Sequence, residues 1–213
     1  TSENMRVTAA SATINLTGST LNVFGAVTDN GTTTGTIGGC PNCIGLQPAL
    51  YTIQNGYTLG ESGSLALGGV MQIGGSFDSF LTDSSRFQML GGTIRFAAAG
   101  SSSFEAMSHD FGPAGAAMRG TVDGSFPLMS LEITAPTTLN LIDARDNDLA
   151  GQSAREALYL DSLYVAAGSR LNTNGIRVYA HSWQIDGTID NVANIVHLGG
   201  PCDADLYIDA VVD

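Results

Sequence analysis

The sequence predicts an all-β fold of stacked parallel rungs, a β-solenoid, and three observations lead there. In residues 157–192 apolar positions recur two apart, at Leu158 and Leu160, Leu163 and Val165, Ile176 and Val178, with Ile185 and Ile189 beyond, separated by Gly, Asn, Asp and Ser turns. The composition agrees: 27 Gly, 6 Pro and only 13% charged residues suit a chain with many tight turns. Turn-then-strand phrases also recur. Gly18-Ser19-Thr20-Leu21-Asn22-Val23 is echoed by Gly63-Ser64-Leu65-Ala66-Leu67, Pro136-Thr137-Thr138-Leu139-Asn140-Leu141 and Gly168-Ser169-Arg170-Leu171-Asn172-Thr173, and Gly-Thr-Ile stands at 35–37, 92–94 and 187–189. The spacing is irregular, and a β-sandwich with regular turns is the alternative.

Taken in order, Ile14 and Leu16, Leu21 and Val23, and Val27 mark the first strands, with turns at Gly18-Ser19 and Asn30-Gly31. An irregular Gly/Cys/Pro loop is expected near 38–50, then a strand at Tyr51-Thr52-Ile53. Strand rhythm resumes at Leu65 and Leu67, Val70 and Ile73, Phe87 and Met89, and Ile94 and Phe96. Residues 98–120 break it with small residues and Gly112-Pro113, predicting an excursion loop with one helical turn near Phe104–Met107. Strands return over Leu128–Ile133 and Leu139–Ile142, and an acidic segment, Asp143–Glu156, precedes the strands of 157–192. Rungs of about 20–25 residues would number roughly eight to ten. At about 4.8 Å per rung the stack is some 40–50 Å long.

Charge narrows the partners. The formal net charge is −12, and all eight basic residues are Arg. Nucleic-acid binding rests on cationic side chains neutralising phosphates, so it is not expected. Anionic lipid would be repelled, and no apolar run approaches the roughly 18 residues of a membrane span. The chain opens at Thr1 with no signal-peptide pattern, which reads as a leader already removed or a segment of a longer protein.

Three cysteines, Cys40, Cys43 and Cys202, are candidates for a structural disulfide in an oxidising compartment. The candidate pairings are Cys40–Cys43 and Cys202 with either one. The Cys40-Pro41-Asn42-Cys43 spacing lacks the second ligand pair of a zinc site, and Ile44 stands where c-type haem attachment needs His.

The strongest chemical constellation is Asp143, Asp146, Asn147 and Asp148, with Glu156 and Asp161 nearby. Clustered carboxylates and an amide suit a hard cation, and calcium is the candidate, although the spacing is not that of an EF-hand. The bland reading is a solvated loop whose side chains bond their own backbone. No cofactor is required. Paired acids also serve glycoside cleavage, but here they are scattered, and no catalytic residue is assigned. His109, His181 and His197 lie apart from any nucleophile motif. Tyr179 and Trp183 flank His181 and read as packing rather than a sugar-stacking strip.

Residues 142–192 resemble β-solenoid repeats of secreted planctomycete-type proteins, autotransporter-like or PEP-CTERM-like, through IDARDNDLAGQ, EALYLDSLYV, AAGSRLNTNGIRVY and GTIDN. Upstream, GGTIRF and FEAMSHDFGP resemble earlier repeats of the same kind. The tail Asp205, Asp209, Asp213 resembles the first half of a dockerin-type calcium loop, with Tyr207 and Ala210 departing from its Asn and Gly positions. The resemblance implies secretion, a place outside the cell or on its surface, and a structural role. The expected organisation is one solenoid over 1–201 and a tail at 202–213. The expected function is a non-enzymatic subunit of an extracellular filament, sheath or surface layer. Its main partner would be itself, through strand edges at Val7–Val27 and Leu206–Val212. Cell-surface polysaccharide is a further candidate partner. An adhesin or carbohydrate-binding module is the first rival, and a polysaccharide-degrading β-helix enzyme the second.

Overall fold

The computed structural model describes the backbone of strands at 5–7, 13–15, 21–23, 27–29 and 32–35. It describes residues 50–89, 91–114, 123–134, 136–148 and 154–199 in full. Twenty-one short strands and no α-helix make up these residues. The chain runs β1 (Met5–Val7), β2 (Thr13–Asn15), β3 (Leu21–Val23), then repeats the circuit as β4 (Val27–Asp29), β5 (Thr32–Gly35), β6 (Leu50–Ile53). A third circuit is β7 (Tyr57–Leu59), β8 (Ser64–Leu67), β9 (Val70–Ile73), and a fourth is β10 (Phe77–Ser79), β11 (Phe87–Met89), β12 (Thr93–Phe96). Strands of equal place in the circuit pair in parallel and form three sheets.

After the fourth circuit the second sheet gains no further strand among the described residues. The chain then alternates between the first and third sheets. In chain order the first-sheet strand and the third-sheet strand that follows it are β13 (Gly100–Glu105) then β15 (Leu128–Ile133), β16 (Thr137–Ile142) then β17 (Glu156–Val165), β18 (Arg170–Asn172) then β19 (Arg177–Ile185), and β20 (Thr188–Ile189) then β21 (Ile195–His197). One strand lies off this path: β14 (Ser108–His109) runs antiparallel to the start of β17.

β6, β8, β9 and β12 bury alternate residues, as the period of two dictates. Parallel pairing in register then stacks those residues into columns. In the third sheet Tyr51, Met71, Ile94, Leu131, Leu163 and Trp183 form one column. Ile53, Ile73, Phe96, Ile133, Val165 and Ile185 form the next. In the first sheet Tyr57, Phe77, Phe104 and Leu141 are in line, and the rings stack at 5.5 Å (Tyr57–Phe77) and 4.9 Å (Phe77–Phe104). Outward columns are polar. Arg95 Nε donates to Glu132 Oε2 at 2.6 Å, and Asn172 Nδ2 donates to Asn140 Oδ1 at 2.8 Å. Turns stack as closely as strands: a Cβ at Gly74 would overlap the Gln54 carbonyl oxygen of the preceding circuit, which is why a residue without a side chain stands there.

Two sequence expectations are corrected. The helical turn near Phe104–Met107 does not form; Gly100–Glu105 is strand β13, held by six consecutive partners in β16. The excursion expected over 98–120 therefore starts only after Glu105. Within it, Phe111 helps cover Ala157, Tyr159, Tyr179 and Leu198, and beyond it Phe126 packs edge-on against Phe87 at 6.1 Å. Leu158–Leu160 and Leu163–Val165 are not two strands but one, β17, with a change of phase. Leu160 and Leu163 are buried while Asp161 and Ser162 between them are only half-buried. Leu128 and Leu131 in β15, and Ala180 and Trp183 in β19, repeat the step at the paired positions. Cys40, Cys43, Cys202, the loop at 38–49 and the tail at 202–213 lie outside the described residues.

Candidate functional site

The polar cluster forms where the second sheet stops. Two connections replace its strands there, the one leaving β13 and the one joining β16 to β17. Glu105 ends β13 and Glu156 begins β17. Neither is exposed beyond 1%.

Each glutamate uses one oxygen to hold the 143–148 segment. Glu105 Oε1 accepts from the backbone N–H of Ala144 at 2.7 Å and Arg145 at 2.8 Å. Glu156 Oε1 accepts from Asn147 N at 2.6 Å and Asp148 N at 3.0 Å. Glu156 N–H in turn donates to Asp143 Oδ2 at 3.3 Å. The second oxygens, Glu105 Oε2 and Glu156 Oε2, are buried with no hydrogen-bond partner among the described residues. A buried polar atom left in that state is costly.

Carboxylate oxygens of Glu105, Asp143 and Glu156 lie within 4.8 Å of one another, and so do those of Asp146, Asp148 and Glu156. Burial pushes Glu105 up to about 7, against the backbone N–H groups of Arg145 and Ala144, with Asp78 and Asp143 adding repulsion. Burial likewise pushes Glu156 up to about 8, against the N–H groups of Asp148 and Asn147, with Asp143 and Asp148 repelling.

The four residues singled out in sequence therefore separate. Asp143 joins the glutamate pair and is the exposed member of that group. Asp146 and Asp148 form the second group with Glu156. The Asp148 side chain is 1% exposed and meets His109 Nδ1 at 2.7 Å. Asn147 instead braces the fold, its Nδ2 donating to the carbonyls of Ser79 at 3.2 Å and Leu81 at 2.7 Å in the fourth circuit. Asp161 is elsewhere, 4.0 Å from His181 Nε2. Asp205, Asp209 and Asp213 lie outside the described residues. Glu105 was missed because it falls in the stretch read as an excursion loop, where a lone acid reads as solvated. Its signal was its immediate setting, a carboxylate between Phe104 and Ala106 in a chain poor in charge.

A second network anchors the excursion. Tyr179 OH donates to Asp110 Oδ1 at 2.8 Å and Tyr159 OH to Gly112 O at 2.9 Å, and the two rings stack at 4.8 Å. Burial and the adjoining Asp110 carboxylate push the Tyr179 hydroxyl up to about 12. These tyrosines are packed. Trp183 faces inward against the core, so Tyr179 and Trp183 form no joint strip. The shallow depression of about 300 Å³ on the third sheet's outer face is lined by Ser130, Glu132, Ser162, Tyr164, Ser182 and Gln184, among others.

No family model, curated protein sequence or solved structure matches this chain.

Proposed function

We propose that the chain is a non-enzymatic structural protein of an extracellular filament, sheath or surface layer. Its three parallel sheets are turns of one β-solenoid, and copies associate end to end through the terminal strand edges. The observation that carries this reading is the unbroken parallel stacking of the first and third sheets from β1 and β3 to β20 and β21. Such a stack offers N–H and C=O groups at its two ends, where another chain adds a strand.

The last two described circuits also present apolar side chains. Val192 is 55% exposed, and Trp183, Ile185, Ile189 and Ile195 are only partly buried against the core. An end of this kind favours a cover of the same architecture, and a second copy supplies one. Catalysis on a polysaccharide finds less support, because the carboxyls with the most shifted acidity, Glu105 and Glu156, are buried side chains that are not presented to a polymer.

Negative-stain microscopy with sedimentation tests the reading. Filaments or end-to-end oligomers are expected, and Val192→Lys should shorten them while leaving the circular-dichroism spectrum unchanged. A monodisperse monomer at high protein concentration, in salt, would overturn it.

A further inference from the structure

We infer that Glu105, Asp143 and Glu156 form a binding site for a hard divalent cation, with calcium the first candidate. The site locks the two connections that replace the second sheet. Three observations support it independently of the acidic composition. First, the carboxylate oxygens of these three residues converge within 4.8 Å. One hard cation can bridge oxygens gathered this closely, and calcium exchanges its waters for carboxylates more readily than magnesium, which dehydrates reluctantly.

Second, Glu105 and Glu156 are essentially fully buried, and each keeps one oxygen without a hydrogen-bond partner among the described residues. Backbone N–H groups already hold the partner oxygen of each carboxyl. A cation satisfies both orphan oxygens and offsets the mutual repulsion of the acids around them.

Third, the group reaches the surface at one of its members. Asp143 is exposed while the two glutamates are buried, so an ion can enter from solvent and keep waters on its outer side, as calcium with its six to eight oxygen ligands commonly does. Asp146 and Asp148 extend the negative field through Glu156, and His109 holds Asp148 in place.

Binding would join β13, the 143–148 segment and β17, which belong to successive circuits. The ion is thus a clamp on the fold and not a reagent.

The test is calcium chloride titrated into the chelated full chain, followed by calorimetry and thermal unfolding, with magnesium chloride in parallel. Calcium should bind saturably and raise the midpoint, with magnesium at least tenfold weaker. Glu105→Gln and Glu156→Gln should each abolish saturable binding. Asp143→Asn is exposed and should fold normally, with affinity reduced about tenfold or more. Asp205→Asn with Asp209→Asn, in the tail, should leave the response intact. Absence of saturable binding in the wild type would overturn the site. A calcium response unchanged in Asp143→Asn and in both glutamate variants would also overturn it, assigning the effect to diffuse screening of the net charge.

Discussion

Glu105 and Glu156 occupy strand-end positions where an apolar residue would do for packing alone, and each organises a loop through two backbone N–H groups. Their acidity has a definite consequence. In chelated protein both titrate above the ordinary 4.5, at about 7 and about 8. The folded state then binds protons more tightly than the unfolded chain. Stability is therefore greatest below the ordinary glutamate value and declines as pH rises through the folded values. A urea midpoint measured in chelator should fall from pH 5 to pH 9, and Glu156→Gln should flatten that fall; a midpoint flat in the wild type would refute it. Asp190 is the opposite case. Burial opposes its ionisation, but donors from Thr173, Asn174 and Asn191 outweigh burial and hold it below the usual value. Its contribution is present above pH 3.8 and lost as the pH falls further. At Gly74 the effect is steric. Gly74→Ala must push apart two stacked turns, and a loss of about 1–3 kcal/mol in chemical denaturation is expected. No change in midpoint would mean that the turns are not in contact.

The individual strand is three or four residues long in most circuits, too short to be stable alone. Stability resides in the columns. Phe77 sits between Tyr57 and Phe104 in the first sheet, stacked on both. Phe77→Ala should cost about 3–5 kcal/mol, measured by urea unfolding, whereas a loss below 1 kcal/mol would show that the neighbouring rings close the gap. Strand rhythm at Leu65 and Leu67, Ile94 and Phe96, and Leu139 and Leu141 was legible in sequence because apolar and polar residues alternate there without interruption. β7, β10 and β13 were not. Ser79 and Ser102 occupy buried positions, and a buried serine looks like a turn residue when only the sequence is read. The phase change inside β17 was misread for a related reason. Asp161 and Ser162 resemble a turn, yet the chain stays extended because β15 and β19 make the same step on either side.

For the molecule as a whole, charge and stacking act in opposite directions. A chain at −12 repels its copies, and that repulsion is screened over about 10 Å at 0.1 M salt and about 30 Å at 0.01 M. End-to-end association should therefore strengthen as sodium chloride rises from 10 to 300 mM, read as the weight-average sedimentation coefficient. A decrease would point to contacts made by ion pairs rather than by strand edges and apolar end residues.

The sequence by itself determined the period of two, the turn-rich composition and the acidic character of 143–148, because these are properties of neighbouring residues. Tertiary structure alone decided which strands share a column, where the second sheet ends, and that Glu105 meets Glu156. Those facts depend on the offset between successive circuits. Connections of unequal length vary that offset, and it is fixed only when the inward columns of the first and third sheets come into register.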